Sequence, residues 1–178
     1  MQATREPGGS PGAEAIRRLL LEGDSERWDA AGEALLLNAA RRDHVARLIR
    51  PALEAGKWVV CDRFTDSTIA YQGYGRGLPL AELAALQLFA LGNFQPDLTL
   101  ILDLPVTEGL ARAASRPGAA DRFERLDHAF HQRLRDGFLA IAAAEPERCA
   151  VIGASGDIAV VHRAMAATVA ARLGVALA

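Results

Sequence analysis

Lysine is almost missing from this chain: Lys57 is the single lysine among 20 basic residues, so arginine carries nearly all the positive charge. A net basic balance is missing as well. The formal charge of −2 argues against a general binder of nucleic acid or of an anionic membrane surface, since either needs a net basic field. No apolar run approaches the length that crosses a bilayer, and the first residues carry neither the basic region nor the apolar stretch of a secretion signal. The two cysteines, Cys61 and Cys149, fall in predicted strands without metal-type spacing, so buried free thiols in a reducing, cytoplasmic compartment are expected. Internal repeats and low-complexity linkers are absent too.

What is present suits one domain. The 178 residues are 51% apolar, enough for a substantial core. Three short apolar runs read as strands: Trp58–Cys61, buried throughout; Leu98–Asp103; and Cys149–Ile152. Helical periodicity lies between and around them. Thr4 to Gly12 reads as a loop, followed by a helix carrying Ile16, Leu19 and Leu20. A long helical stretch from about Ala30 to Ala55 is expected to kink or divide ahead of Pro51, with Leu35, Leu36, Ala39, Val45, Leu48, Ile49 and Ala52 buried. Further helices are predicted over Leu80–Phe94 and Val106 to about Arg116. Another is marked by Phe130, Leu134, Phe138 and Ile141, and a last one covers Ile158–Leu173 with Asp157 as N-cap. Strands separated by helices predict an α/β fold with a parallel sheet covered on both faces.

The chemistry concentrates in Asp62–Gly77. An Asp-Arg pair follows the first apolar run, at the carboxyl end of a strand, where open α/β sheets bind their ligands. Hydroxyls, an amide, a second arginine and several glycines follow in the run Thr65-Asp66-Ser67-Thr68-Ile69-Ala70-Tyr71-Gln72-Gly73-Tyr74-Gly75-Arg76-Gly77. Charge, hydroxyl and amide donors at one place suit a small anionic molecule with a polar ring.

Six motifs in order then carry a resemblance: Thr4-Arg5-Glu6-Pro7-Gly8-Gly9, Ala39-Ala40-Arg41, Asp62-Arg63-Phe64, Ala70 to Gly77, Pro96-Asp97-Leu98-Thr99 and Asp121-Arg122-Phe123-Glu124. Each alone is weak. Together, with their spacing, they make the chain resemble the bacterial thymidylate kinases, in the nucleoside-monophosphate kinase branch of P-loop NTPase folds. The resemblance implies a three-layer α/β domain over residues 1–178 with a lid near 112–124. It also implies ATP-dependent conversion of dTMP to dTDP, with Mg²⁺ and ATP as cofactors, and a homodimer.

The resemblance assigns roles residue by residue. Arg63 and Arg5 match arginines at the dTMP phosphate, and Asp62 matches an acidic residue that orients Mg²⁺-bound water. Arg41 matches the helix arginine that reads the base. Thr68, Tyr71 and Gln72 match positions flanking sugar and base. Leu37 stands where the family usually places a phenylalanine stacked on thymine, so the aromatic increment is lost there. In the lid, Arg112, Arg116 and Arg122 are candidates for charge on the transferring phosphoryl group.

One departure accompanies these matches. The family's first strand, its Gly-x-x-x-x-Gly-Lys-Ser/Thr phosphate loop, its first helix and most of its second strand have no counterpart in these 178 residues. Lys57 cannot supply the loop lysine, because it is followed by Trp58 and a strand rather than by a helix. The expectation is a truncated kinase, inactive or weak as written, or a short paralogue that keeps only the dTMP pocket. In the family's sheet order the first strand is central, so without it the 58–61 and 98–102 strands should stand apart with exposed edges.

Overall fold

Four short strands, in two parallel pairs, frame the computed structural model, which describes residues 1–23, 27–115, 123 and 126–176. β1 (Gln2–Arg5) pairs with β2 (Val59–Asp62), placing Arg5 opposite Asp62 at the carboxyl ends. β3 (Thr99–Asp103) pairs with β4 (Cys149–Gly153), Asp103 opposite Gly153. The two pairs share no ladder, and among the described residues no strand lies between β2 and β3. That separation agrees with expectation, and side chains beside the unpaired edges stay open: Val60 is 56% and Leu102 49% exposed.

Two expectations about the strands need correction. Residues 2–5 form a strand, where the sequence predicts a loop from Thr4, so the described residues hold four strands and not three. The apolar run 58–61 is not buried throughout, because Trp58 and Val60 are more than half exposed. Both follow from pairing: Gln2–Arg5 is extended because β2 offers it a ladder, and β2 itself has one partner.

Helices supply most of the chain. α1 (Pro11–Leu21) starts on a proline, whose missing N–H costs nothing in a first turn. α2 (Ala30–His44) is capped by Asp29, whose side chain accepts from Gly32 N. It runs through a π-helical segment, Val45–Ile49, into α3 (Arg50–Glu54). The helical run is not divided ahead of Pro51 but passes through this π-helical turn, in which Arg50 N reaches back to Val45 O.

The buried face of α2 differs from the one expected. Glu33, Ala34, Asn38, Ala40, Arg41 and His44 are buried, while Ala39 and Leu35 are exposed, the latter at 59%. Polar groups with internal partners have displaced leucine from the interior. Of the other positions expected to be buried, Val45 and Ile49 are, and Leu36, Leu48 and Ala52 are partly so.

Past β2 the polar run is helical. A single turn, α4 (Thr65–Thr68), leads into a second π-helical segment, Ile69–Gly75. α5 (Leu80–Leu91), α6 (Val106–Ala114), α7 (His128–Ala144) and α8 (Ile158–Leu173) complete the fold. Asp157 caps α8 as expected, accepting from Val160 N, and Asp127 does the same for α7 from Phe130 N. α7 lies on the 69–75 segment, where Ala70, Ile101, Phe130, Leu134 and Ile141 form the larger core cluster. This cluster couples the segment after β2 to the β3–β4 pair. No helix among the described residues is long and apolar enough to cross a membrane.

Candidate functional site

The carboxyl end of β2 brings several of the predicted residues together. Asp62 closes β2 with its side chain in solvent, and Arg63 follows with a backbone φ of 67°, a left-handed conformation that a side chain other than glycine rarely adopts. From there the Arg63 guanidinium lies over the Tyr71 ring, 5.0 Å from its centroid. Tyr71 is fixed in turn by edge contacts with Phe123, Phe130 and Phe138, at centroid distances of 5.4, 6.1 and 6.5 Å. An exposed cation is thereby held against a half-buried aromatic ring that packs on the core.

Behind this pair is a buried polar layer. Arg41 is 2% exposed and donates from Nε to Glu6 Oε2 at 2.6 Å. Its Nη2 donates to Thr68 Oγ1 at 3.0 Å and to the Phe64 carbonyl at 3.3 Å. The other oxygen of Glu6 lies 3.0 Å from His44 Nδ1, and His44 Nε2 lies 2.8 Å from Thr4 Oγ1. A carboxylate only accepts, so Nδ1 donates to Glu6. Gly9 lies against this layer: a Cβ there would come within 2.4 Å of both His44 Nε2 and Thr4 Oγ1, and its φ of 84° suits glycine.

Glu6, His44 and Cys61 place potential metal ligands within 4.8 Å of one another. The carboxylate is already committed to Arg41 and His44. Burial, reinforced by the Glu6 and Asp62 charges, pushes the Cys61 thiol up to about 12, which disfavours the thiolate a metal would need. The cluster is better described as a hydrogen-bond network behind the site.

Gln72 sits deeper than its expected place at a base edge. It is fully buried, and its amide donates to Glu33 Oε2 at 2.9 Å. Arg76 donates to the other Glu33 oxygen at 2.9 Å. Gln72 Oε1 and Asn38 Oδ1 are buried acceptors with no hydrogen-bond partner among the described residues. Leu37 is half-buried on α2, one turn before Arg41.

The remaining candidates lie further out. Arg5 is exposed and pairs with Glu14 at 3.2 Å. The Gly9 amide and the Arg5 and Arg17 charges hold the Glu14 carboxyl below its ordinary value, against a smaller opposing effect of burial. Arg112, on α6, is tied to the loop after β4 through the Ala154 and Ser155 carbonyls at 3.0 and 3.3 Å, and to Glu108 on its own helix. Arg116 and Arg122 lie outside the described residues, as does most of the expected lid.

Sequence reasoning passed over Glu6, Glu33 and His44 as site-forming residues. A signal existed for two of them: Glu33, Leu37, Arg41 and His44 stand at i, i+4, i+8 and i+11 on one helix face. Polar residues repeating at the core period mark a face that something must satisfy.

Comparisons with known proteins identify the family of the chain. The thymidylate kinase family model matches residues 1–165. A thymidylate kinase of Caulobacter vibrioides is 56% identical over 171 residues, covering 96% of this chain and 82% of the relative. One from Rhizorhabdus wittichii is 57% identical over 155 residues, covering 86% and 74%. Among solved structures, the crystal structure of thymidylate kinase from Ehrlichia chaffeensis superposes with a TM-score of 0.75 at 34% identity, over 94% of this chain and 80% of that one.

Proposed function

This chain belongs to the thymidylate kinase family, and on that premise we propose that the half-site on Asp62–Gly77 binds dTMP as the phosphate acceptor for ATP-dependent formation of dTDP. The observation that carries this reading is the Arg63–Tyr71 pair at the carboxyl end of β2. A guanidinium held there meets a phosphate in a fork of parallel hydrogen bonds, and the ring beneath it serves as the floor for a deoxyribose. Tyr71 would exclude a 2′-hydroxyl by contact. Arg41 and Thr68, bonded to each other, would face the base, with Leu37 as the apolar wall. Arg5 adds positive charge beside the phosphate. Gln72, through its bond to Glu33, holds the segment from which Tyr71 projects.

Mg²⁺ fits the exposed Asp62 carboxylate, since this ion keeps several waters and takes one or two carboxylates beside phosphate oxygens. When bound it supplies charge neutralisation at those oxygens. ATP does not fit in the same way. The 178 residues contain no Gly-x-x-x-x-Gly-Lys-Ser/Thr cradle, so the chemistry that these residues support stops at the acceptor. That sequence observation favours a second reading beside the first, in which the 178 residues alone bind dTMP with little or no turnover. In the reaction, transition-state charge would fall to the lid arginines Arg112, Arg116 and Arg122. The exposed apolar residues Leu88 (58%) and Phe89 (90%) on α5 support a helix-packed homodimer.

The test is a calorimetric titration with dTMP. Arg63→Ala should weaken binding by about ten- to a hundredfold, the range for a charge-assisted pair lost at a partly exposed site. Equal affinity in both proteins would remove Arg63 from the phosphate.

A further inference from the structure

Arg148 lies at the entry to β4, 82 residues beyond Asp66, yet the two side chains meet end to end. Both terminal nitrogens donate to Asp66, Nη1 to Oδ2 and Nη2 to Oδ1, each at 2.7 Å. The same Nη1 donates to Thr99 Oγ1 at 2.8 Å, and Thr99 Oγ1 donates to Asp66 Oδ2 at 3.1 Å. Glu145 completes the group, accepting from Nε at 2.8 Å and from Nη2 at 3.0 Å. Asp66 and Arg148 are 6% and 11% exposed, so the pair is largely withdrawn from water and its geometry is tightly defined.

Its position relative to Arg63 makes the pair consequential. Arg63 is the one described residue other than glycine with positive φ, and such a conformation persists where the surroundings over-determine it. Part of the hold is local: Cys61 Sγ donates to the Arg63 carbonyl at 3.1 Å, and Arg41 donates to the Phe64 carbonyl. Downstream, α4 is a single turn, and Phe64 at its N-cap offers no side-chain cap. Asp66 is in that turn, one turn on from Arg63. Through Asp66 the turn is anchored to the β3–β4 pair, which shares no ladder with β2.

We infer that Arg148 is a positioning residue for phosphate recognition: by holding Asp66 it fixes the first turn of α4 and keeps Arg63 in the backbone conformation that presents its guanidinium. This rests on the reading of Arg63 as the phosphate contact.

The experiment compares dTMP with thymidine, which lacks the phosphate, by calorimetric titration of wild type, Arg148→Lys and Arg63→Ala. Lysine keeps the charge but cannot form the two-pronged contact. Arg148→Lys should weaken dTMP by about tenfold, the effect of one charge-assisted hydrogen bond, and leave thymidine within twofold. Asp66→Asn, measured in the same way, serves if Arg148→Lys does not fold. An unchanged dTMP affinity, or equal weakening of both ligands, overturns the inference. Failure of both variants to fold also overturns it, because the pair would then be a fold-holding contact. If Arg63→Ala itself leaves dTMP binding intact, it is the underlying assignment of the phosphate that fails.

Discussion

Removing the Glu33 carboxylate tests whether the site rests on buried charge or on leucine packing. Glu33 is fully buried in the first turns of α2, with one oxygen on the Gln72 amide and the other on Arg76, both at 2.9 Å. Glu33→Ala strands the Gln72 donor where water does not reach, at a cost of about 1–3 kcal/mol. Arg76 is 23% exposed and recovers part of its hydration, so losing the ion pair adds about 1 kcal/mol rather than the larger figure for a fully buried pair. The expected destabilisation is about 2–4 kcal/mol, or about 5–15 °C in Tm for a domain of this size. Glu33→Gln preserves volume and one acceptor and should fall between, at about 1–2 kcal/mol. Urea denaturation of the three proteins gives the order directly. If both variants lie within about 0.5 kcal/mol of wild type, the Glu33 network contributes nothing to stability.

Acid should act on a second pair. Arg135 donates to Asp103 at 2.6 and 2.8 Å, and these hydrogen bonds hold the Asp103 carboxyl below its ordinary value. A carboxyl depressed in the folded state adds stability that is complete above the unfolded pKa and is lost as pH falls through the folded one. Wild type should therefore exceed Asp103→Asn in stability at pH 7, with the gap closing below about pH 4; a gap that persists unchanged at pH 2 contradicts the pairing. Cys61 offers a chemical test. With its thiol half-buried and pushed up to about 12, it should react with iodoacetamide at pH 8 far more slowly in the folded protein than in urea, and equal rates would contradict that shift.

How much the sequence revealed depended on the range of the forces involved. α8 with its Asp157 cap and the Phe130–Leu134–Ile141 face of α7 were readable, because local hydrogen bonding and apolar period decide them. β1 was not: Gln2–Arg5 shows no alternation of its own and is extended because β2 lies beside it. The Asp62–Gly77 run stands out in sequence by its polar and glycine content, yet its helical turn and π-helical segment are not legible there, since several glycines argue for loop. On α2 the apolar rule misplaced Leu35 and Ala39, because the interior there is occupied by Glu33, Arg41 and His44, each with partners from distant segments. Arg148 carried no local signal at all. Its role depends on a contact across 82 residues.

Titration of these 178 residues with dTMP and with ATP, in one calorimeter and one buffer containing Mg²⁺, addresses the division between acceptor and donor most directly. The proposed half-site on Asp62–Gly77 predicts saturable heat with dTMP, and the proposed confinement of these 178 residues to the acceptor side predicts none with ATP. Saturable binding of ATP together with no binding of dTMP would contradict both halves of the assignment.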